Sequence, residues 1–480
     1  MTRNQWLVVI LLGIGDAIVL GLLAFMMAIG MPTPSRGEAV SIISPTPAES
    51  PTPTSVPTWT PTPIPTDTPI PSPTPLPPTP APRPLNVNEN IMLNEIEQRV
   101  VTLRGLDVLR PIPRWALTRE QFADRLETAF QDESITAQAE AAARVLVVLD
   151  LMDANEDMVE LLADVLGEQV AGYYDVQEQT IYLVAEEDLN QVENRMTFVH
   201  EAGHALQDQH FDLAALGLSM TDHATFYDDP TGAVRALIEG DAELVQLQYI
   251  EEYLAEPEIL ALQFSGVQPG QARIATAPRG VREAILFPYV YGLDFVTALY
   301  DRRGWSSVNA AYANPPSSTE QILHPERYLS ADAPLTVTLP GLTDTLGADW
   351  HLIYDATLGE FFLRLHLERW LSAAQAAPAA EGWGGDTCAV YYNETTDQTA
   401  MLLRIRWDTP EDAVQFVLTY SIWAEARFAH RADTLEEGLA CWQAIDAVCM
   451  AWEEQTVTIV RGPDRDTVDR AIAAAQAAGP

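Results

Sequence analysis

The chain has 480 residues and a net charge of −41, with 68 acidic residues against 27 basic ones. A surface this acidic repels nucleic acid and anionic lipid, so no nucleic-acid partner is expected, and the charge serves solubility or cationic partners. Every basic residue is arginine, and the absence of lysine excludes lysine Schiff-base chemistry, a P-loop and a kinase active site together.

Trp6–Met31 is almost entirely apolar and about 39 Å long as a helix, enough to span a bilayer with tilt. Asp16 interrupts it, and Arg3 with the amino terminus favours a cytoplasmic start. The reading is a retained single-pass membrane anchor (1–31) with the remainder extracytoplasmic. A cleaved signal peptide is the rival, for which Ala28-Ile29-Gly30 is a poor cleavage site. Residues 32–85 are a Thr/Ser/Pro tract holding more than half of the 35 prolines, which reads as an extended spacer with no core.

From Asn86 the pattern turns helical, with Glu89–Leu103, then Arg119–Phe130 behind a Thr118-x-x-Gln121 capping box, then two helices to about Leu166. Asp153-Ala-Asn-Glu-Asp157 lacks the glycine of a calcium loop and reads as a helix–helix turn. Gln169–Tyr174 and Thr180–Val184 alternate as two strands.

The next helix, N-capped by Asn190, carries His200-Glu201-Ala202-Gly203-His204. Its two histidines, four apart, project side by side and suit one metal ion, and Glu201 is placed to take a proton from a metal-activated water. A catalytic zinc takes three protein ligands. Asp229-Pro230 opens a helix through about Tyr253, on which Glu239 and Glu243 share one face among Leu237, Ile238, Leu244 and Val245. A solvated acidic face is the plain reading of that pair, but buried carboxylates need a partner or a metal. His210 offers a second third ligand, at metzincin spacing. There Gln207 stands where a turn would need glycine, so the helix is expected to continue and carry His210 away.

Phe287-Pro-Tyr-Val-Tyr-Gly292 is expected to open a helix ending near Gly304. Tyr289, Tyr291 and His324 are candidate donors to an oxyanion, with an aromatic core and a capping histidine as the plainer reading. Beyond about Leu335 the pattern mixes strands and helices. A strand is expected at Leu335–Leu339, a helix at Thr357–Ala373, and strands near Cys388–Tyr392, Met401–Trp407 and Val448–Val460. One helix follows Pro410 and another ends the chain. Cys441 and Cys449 are positioned to pair across a hairpin.

The His-Glu-x-x-His helix followed by a helix with Glu-x-x-x-acid resembles the gluzincin group of zinc metallopeptidases. The resemblance implies that Glu239 is the third Zn2+ ligand and that Glu243 orients a ligand histidine, where that group more usually has Asp. His204–Leu213, Phe287-Pro-Tyr289 and Ser318-Thr-Glu-Gln-Ile-Leu-His-Pro325 resemble, more closely, a group of bacterial extracytoplasmic metallopeptidase-like proteins, over about Gln169 to Tyr328. The implied fold is α+β, with a mainly helical zincin-like domain (86–334) and a small antiparallel α+β domain (335–480). In that fold the strand before the metal helix is the edge on which peptide substrate lies. The expected function is a membrane-anchored, extracytoplasmic zinc peptidase acting on peptides or proteins. The alternative is a non-catalytic stalked surface module, an adhesin or assembly partner, with a structural or degenerate metal site. Glu201 separates the two, because a structural site needs no general base.

Overall fold

The computed structural model describes residues 81–184, 189–218, 228–265 and 274–478. Trp6–Met31 and the Thr/Pro tract as far as residue 80 lie outside them. Among the described residues no helix is long and apolar enough to cross a membrane, because the long helices carry charges along their length. The expectation of a membrane-anchored, extracytoplasmic protein is corrected on that finding.

The first part is mainly helical. Strand β1 (Arg83–Pro84) precedes helix α1 (Val87–Arg104), β2 (Arg114–Leu117), α2 (Arg119–Phe130), α3 (Glu133–Val148) and α4 (Met158–Gln169). The capping box of α2 is present, with Thr118 and Gln121 each bonding the other's backbone. A hairpin of β3 (Gly172–Asp175) and β4 (Thr180–Val184) then leads to α5 (Val192–Phe211). The strands form one sheet in the order β1-β2-β4-β3, with β2 and β4 parallel and the other pairs antiparallel. Helix α5 lies close on the outer strand β3, where a Cβ on Gly172 would stand 2.6 Å from Thr197 Cγ2. All four residues of β3 are buried.

Helix α6 (Asp229–Tyr253), α7 (Glu256–Ser265), α8 (Arg279–Arg303), α9 (Trp305–Ala313), α10 (Thr319–Leu323) and α11 (Pro325–Leu329) complete this part. Helix α8 begins eight residues before Phe287 and carries Pro288 in its interior, so the proline does not open it as expected. Helices α6 and α8 cross with their backbones touching. A Cβ on Gly240 would fall 2.1 Å from Gly292 O, and one on Gly292 would fall 2.2 Å from Ala236 O.

The second part contains α12 (Thr343–Leu346), β5 (Trp350–Ala356), α13 (Gly359–Glu368), α14 (Ala373–Ala380), β6 (Trp383–Asn393), β7 (Gln398–Trp407) and α15 (Pro410–Phe428). It ends with β8 (Thr434–Glu436), β9 (Leu439–Gln443), β10 (Ala447–Glu453), β11 (Thr456–Gly462) and α16 (Arg465–Ala477). The seven strands form an antiparallel sheet in the order β5-β6-β7-β11-β10-β9-β8. Leu335–Leu339 is extended without a ladder, held by single bonds such as Leu335 N to Gly384 O at 2.6 Å. The helix expected at Thr357–Ala373 is α13, which spans Gly359–Glu368 and stops five residues short, and a separate helix, α14, starts at Ala373.

One face of this sheet, with Trp383, Val390, Leu403 and Ile405, joins the apolar core that begins at Leu93 in α1. The other face packs Tyr391, Leu402 and Val460 against Val468, Ala471 and Ile472 of α16. Cys441 and Cys449, directly opposed on β9 and β10, form a disulfide, and Cys388 is a buried free thiol. The class is α+β, a mainly helical part followed by an antiparallel sheet unit.

Candidate metal centre

Helix α5 starts at Val192 with Gln191 at its N-cap, one residue later than the sequence suggests, and Gln191 makes no side-chain cap bond. Tertiary burial holds the helix instead, since Met196 to Leu206 are buried without a break. It runs on to Phe211 and closes with Asp212 in the left-handed region, at φ 55°. His200 and His204 are fully buried on one side of it, with their Nε2 atoms 2.9 Å apart.

Glu239 of α6 meets both. Its Oε2 lies 3.2 Å from His200 Nε2 and 3.4 Å from His204 Nε2. Ligand atoms on a tetrahedral zinc, at about 2.0–2.1 Å from the ion, stand about 3.3 Å from one another. The three observed separations bracket that value.

The hydrogen-bond partners behind the ligands decide what these atoms are. Gln207 donates its Nε2 to Ile238 O at 3.1 Å, so its Oε1 faces His204 Nδ1, at 2.9 Å. An amide oxygen only accepts, so Nδ1 of His204 carries a proton, and its Nε2 is left to face Glu239 and His200. His200 Nδ1 faces Glu243 Oε1 at 3.4 Å. Two imidazole Nε2 atoms and a carboxylate oxygen therefore converge, an arrangement that a proton or a metal cation would satisfy.

The electrostatics say the same. Burial opposes a charge on His204, yet Glu239 raises it to about 9. His200 is pushed down, by burial and by the neighbouring His204. Burial would raise Glu239, but His204 and His200 hold it below the ordinary carboxylate range. Glu243 is pushed well above that range by burial and by Glu239. In the protein alone a proton on His204 meets the demand, and a divalent ion fits the same three atoms. The donor set of two imidazoles and one carboxylate, with those separations, fits zinc.

Glu201, also fully buried, acts electrostatically on His204. Tyr289 of α8 is brought to the same place by the α6–α8 crossing, its ring centroid 6.4 Å from that of His200. Tyr291 packs instead against Phe287 and Phe361, with centroids 5.2 Å and 6.3 Å away. His324 pairs with Glu360 of α13, Nε2 to Oε1 at 3.0 Å. The adjoining Thr319 bonds Asp229 from both its N–H, at 3.1 Å, and its hydroxyl. Asp229 lies ten residues, about 15 Å, along α6 from Glu239, so the Ser318–Pro325 motif fastens the start of that helix. His210 is carried off the ligand face to Asp107 O, at 2.8 Å.

Several contributors were not singled out from sequence. Asp241, between Gly240 and Ala242, takes a bidentate bond from Arg104 at 2.6 and 2.9 Å and a hydroxyl bond from Tyr312 at 2.8 Å. Gln246 donates to Met196 O at 3.0 Å and ties α6 to α5. Their signal was present, since Gln207 and Gln246 follow His204 and Glu243 at spacing three, where a polar residue joins a buried helix face.

Residues 351–472 match a family model described as a domain of unknown function (DUF8575). That match covers the seven-stranded sheet unit and excludes the residues of the metal centre. No curated protein and no solved structure matches the chain.

Proposed function

We propose that this protein is a zinc-dependent peptidase whose ion is held by His200, His204 and Glu239. The observation that carries the reading is the convergence of three buried donor atoms at tetrahedral ligand spacing, with Glu201 beside them. A zinc ion bound by three protein ligands supplies a Lewis acid and lowers the pKa of a water towards about 7. Glu201 then accepts the proton of the attacking water at its carboxylate and returns it to the departing amine. Gln207 and Glu243 hold the two imidazoles in register, and Tyr289 is the nearest candidate donor to the developing oxyanion.

A second reading, a closed non-catalytic metal site, is favoured by one observation. His200, His204 and Glu201 have no exposed surface, whereas catalytic zinc keeps an open position. Elemental analysis of purified protein, combined with cleavage of a mixed peptide library, separates the readings. The peptidase reading expects one zinc per chain and cleavage that chelation abolishes and zinc restores. Stoichiometric zinc without cleavage supports the closed site, and no metal uptake removes both.

A further inference from the structure

Arg235, Glu239 and Glu243 follow one another at spacing four and form a ladder on one face of α6. Glu243 stands behind His200 and Glu239 touches both histidines, so Arg235 continues the row on the far side of the ligand cluster, about 6 Å along the axis. Exposure follows the same direction. Glu243 and Glu239 are buried, while Arg235 keeps some exposed surface although its Nε is buried.

Among the described residues, four arginines have a buried nitrogen without a hydrogen-bond partner: Arg104, Arg114, Arg195 and Arg235. The first three hold Asp241, Glu97 and Glu258 through their other nitrogens. Arg235 holds no carboxylate among the described residues, in a chain of 68 acidic residues and 27 arginines. An arginine beside a catalytic cluster that stays unpaired amid such an excess of acid is kept for something that arrives. Burial lowers its pKa, and Glu239 and Tyr289 oppose the shift, which puts the guanidinium within electrostatic reach of both.

We propose that Arg235 is the specificity-determining residue of this site and binds a carboxylate of the peptide substrate through its guanidinium fork. The proposal rests on the peptidase reading. A planar guanidinium matches a carboxylate with two parallel N–H···O bonds, and partial exclusion of water strengthens them. The carboxylate comes either from the substrate's free C-terminus or from an acidic side chain. The former makes the enzyme a carboxyl-terminal exopeptidase, the latter an acid-directed endopeptidase.

The test is equilibrium binding to zinc-loaded full-length Glu201→Gln protein, read by fluorescence anisotropy without turnover. Three labelled hexapeptides are compared: one with a free C-terminus, one amidated and lacking acidic residues, and one amidated with a single Asp. The proposal expects at least one carboxylate-bearing peptide to bind about tenfold or more tightly than the neutral one. That preference should disappear when Arg235→Gln is added and persist in weakened form with Arg235→Lys. Retained zinc content and helical circular dichroism in both variants show that the fold is intact. Equal binding of all three peptides, or a preference that survives Arg235→Gln, overturns the assignment even if the wild type cleaves peptides. Absence of binding by every peptide, with no cleavage by the wild type, overturns the peptidase reading as well.

Discussion

Gln207 accepts the Nδ1 proton of His204 at 2.9 Å while its own amide nitrogen is fixed by the carbonyl of Ile238, the residue before Glu239. One side chain thus bonds a candidate ligand on α5 and ties it to the helix that carries the candidate third ligand. The same glutamine is what keeps α5 straight where a metzincin-like turn would need glycine.

Gln207→Leu should keep the fold and the one-to-one stoichiometry but weaken zinc binding about 10- to 100-fold, the usual cost of losing such a partner. Chelator competition measures this directly. Unchanged affinity would remove Gln207 from the centre.

The third ligand gives a paired prediction. Glu239→Gln should abolish stoichiometric zinc, because its Oε2 is the atom that meets both histidines. His210→Gln should leave zinc in place, since His210 bonds Asp107 O on another side of the helix. Metal analysis of the two variants decides, and the reverse pattern would contradict the ligand set.

Two glycines near the ligands should behave oppositely. Gly240→Ala drives a methyl into the backbone of Gly292, 2.1 Å away, and should cost about 3 kcal/mol or more while weakening zinc binding. Gly203→Ala, inside the His-Glu-x-x-His motif, meets nothing closer than Ala242 Cβ at 3.6 Å. It should be neutral or stabilising by up to about 1 kcal/mol through helix propensity. Chemical denaturation of both proteins tests the contrast.

Much of this arrangement was legible because it is local. The capping box at Thr118, the proline in the first turn of α6 and the four-residue spacings His200/His204 and Glu239/Glu243 each state their structure within a few residues. What was not legible depends on crossings between distant segments. Gly240 has meaning only when Gly292 lies on it, and Asp241 only when Arg104 and Tyr312 reach it. Pro288 looked like a helix opener because its interior position in α8 is supported by packing rather than by its own chemistry. The pairing of His324, a candidate oxyanion donor, with Glu360 of α13 is likewise a contact between segments far apart in the chain.

The contact between the two parts should be acid-labile at one residue. His366 of α13 donates Nδ1–H to Leu149 O at 2.8 Å, and burial pushes it down to about 4. The unfolded chain therefore binds the proton first, so the stability contributed by neutral His366 is full above about 6.5 and is lost as pH falls towards about 4. His366→Asn keeps a donor without a titrating group. Its unfolding midpoint should fall less than that of the wild type over this window, and parallel pH profiles would rule the residue out.

The central claim is that Glu201 handles the proton of a zinc peptidase. Its most direct test is peptide turnover by wild-type and Glu201→Gln proteins matched for zinc content. The account predicts equal zinc in both, with turnover in the variant lower by about 100-fold or more. Equal, chelator-sensitive turnover by the two proteins would contradict it.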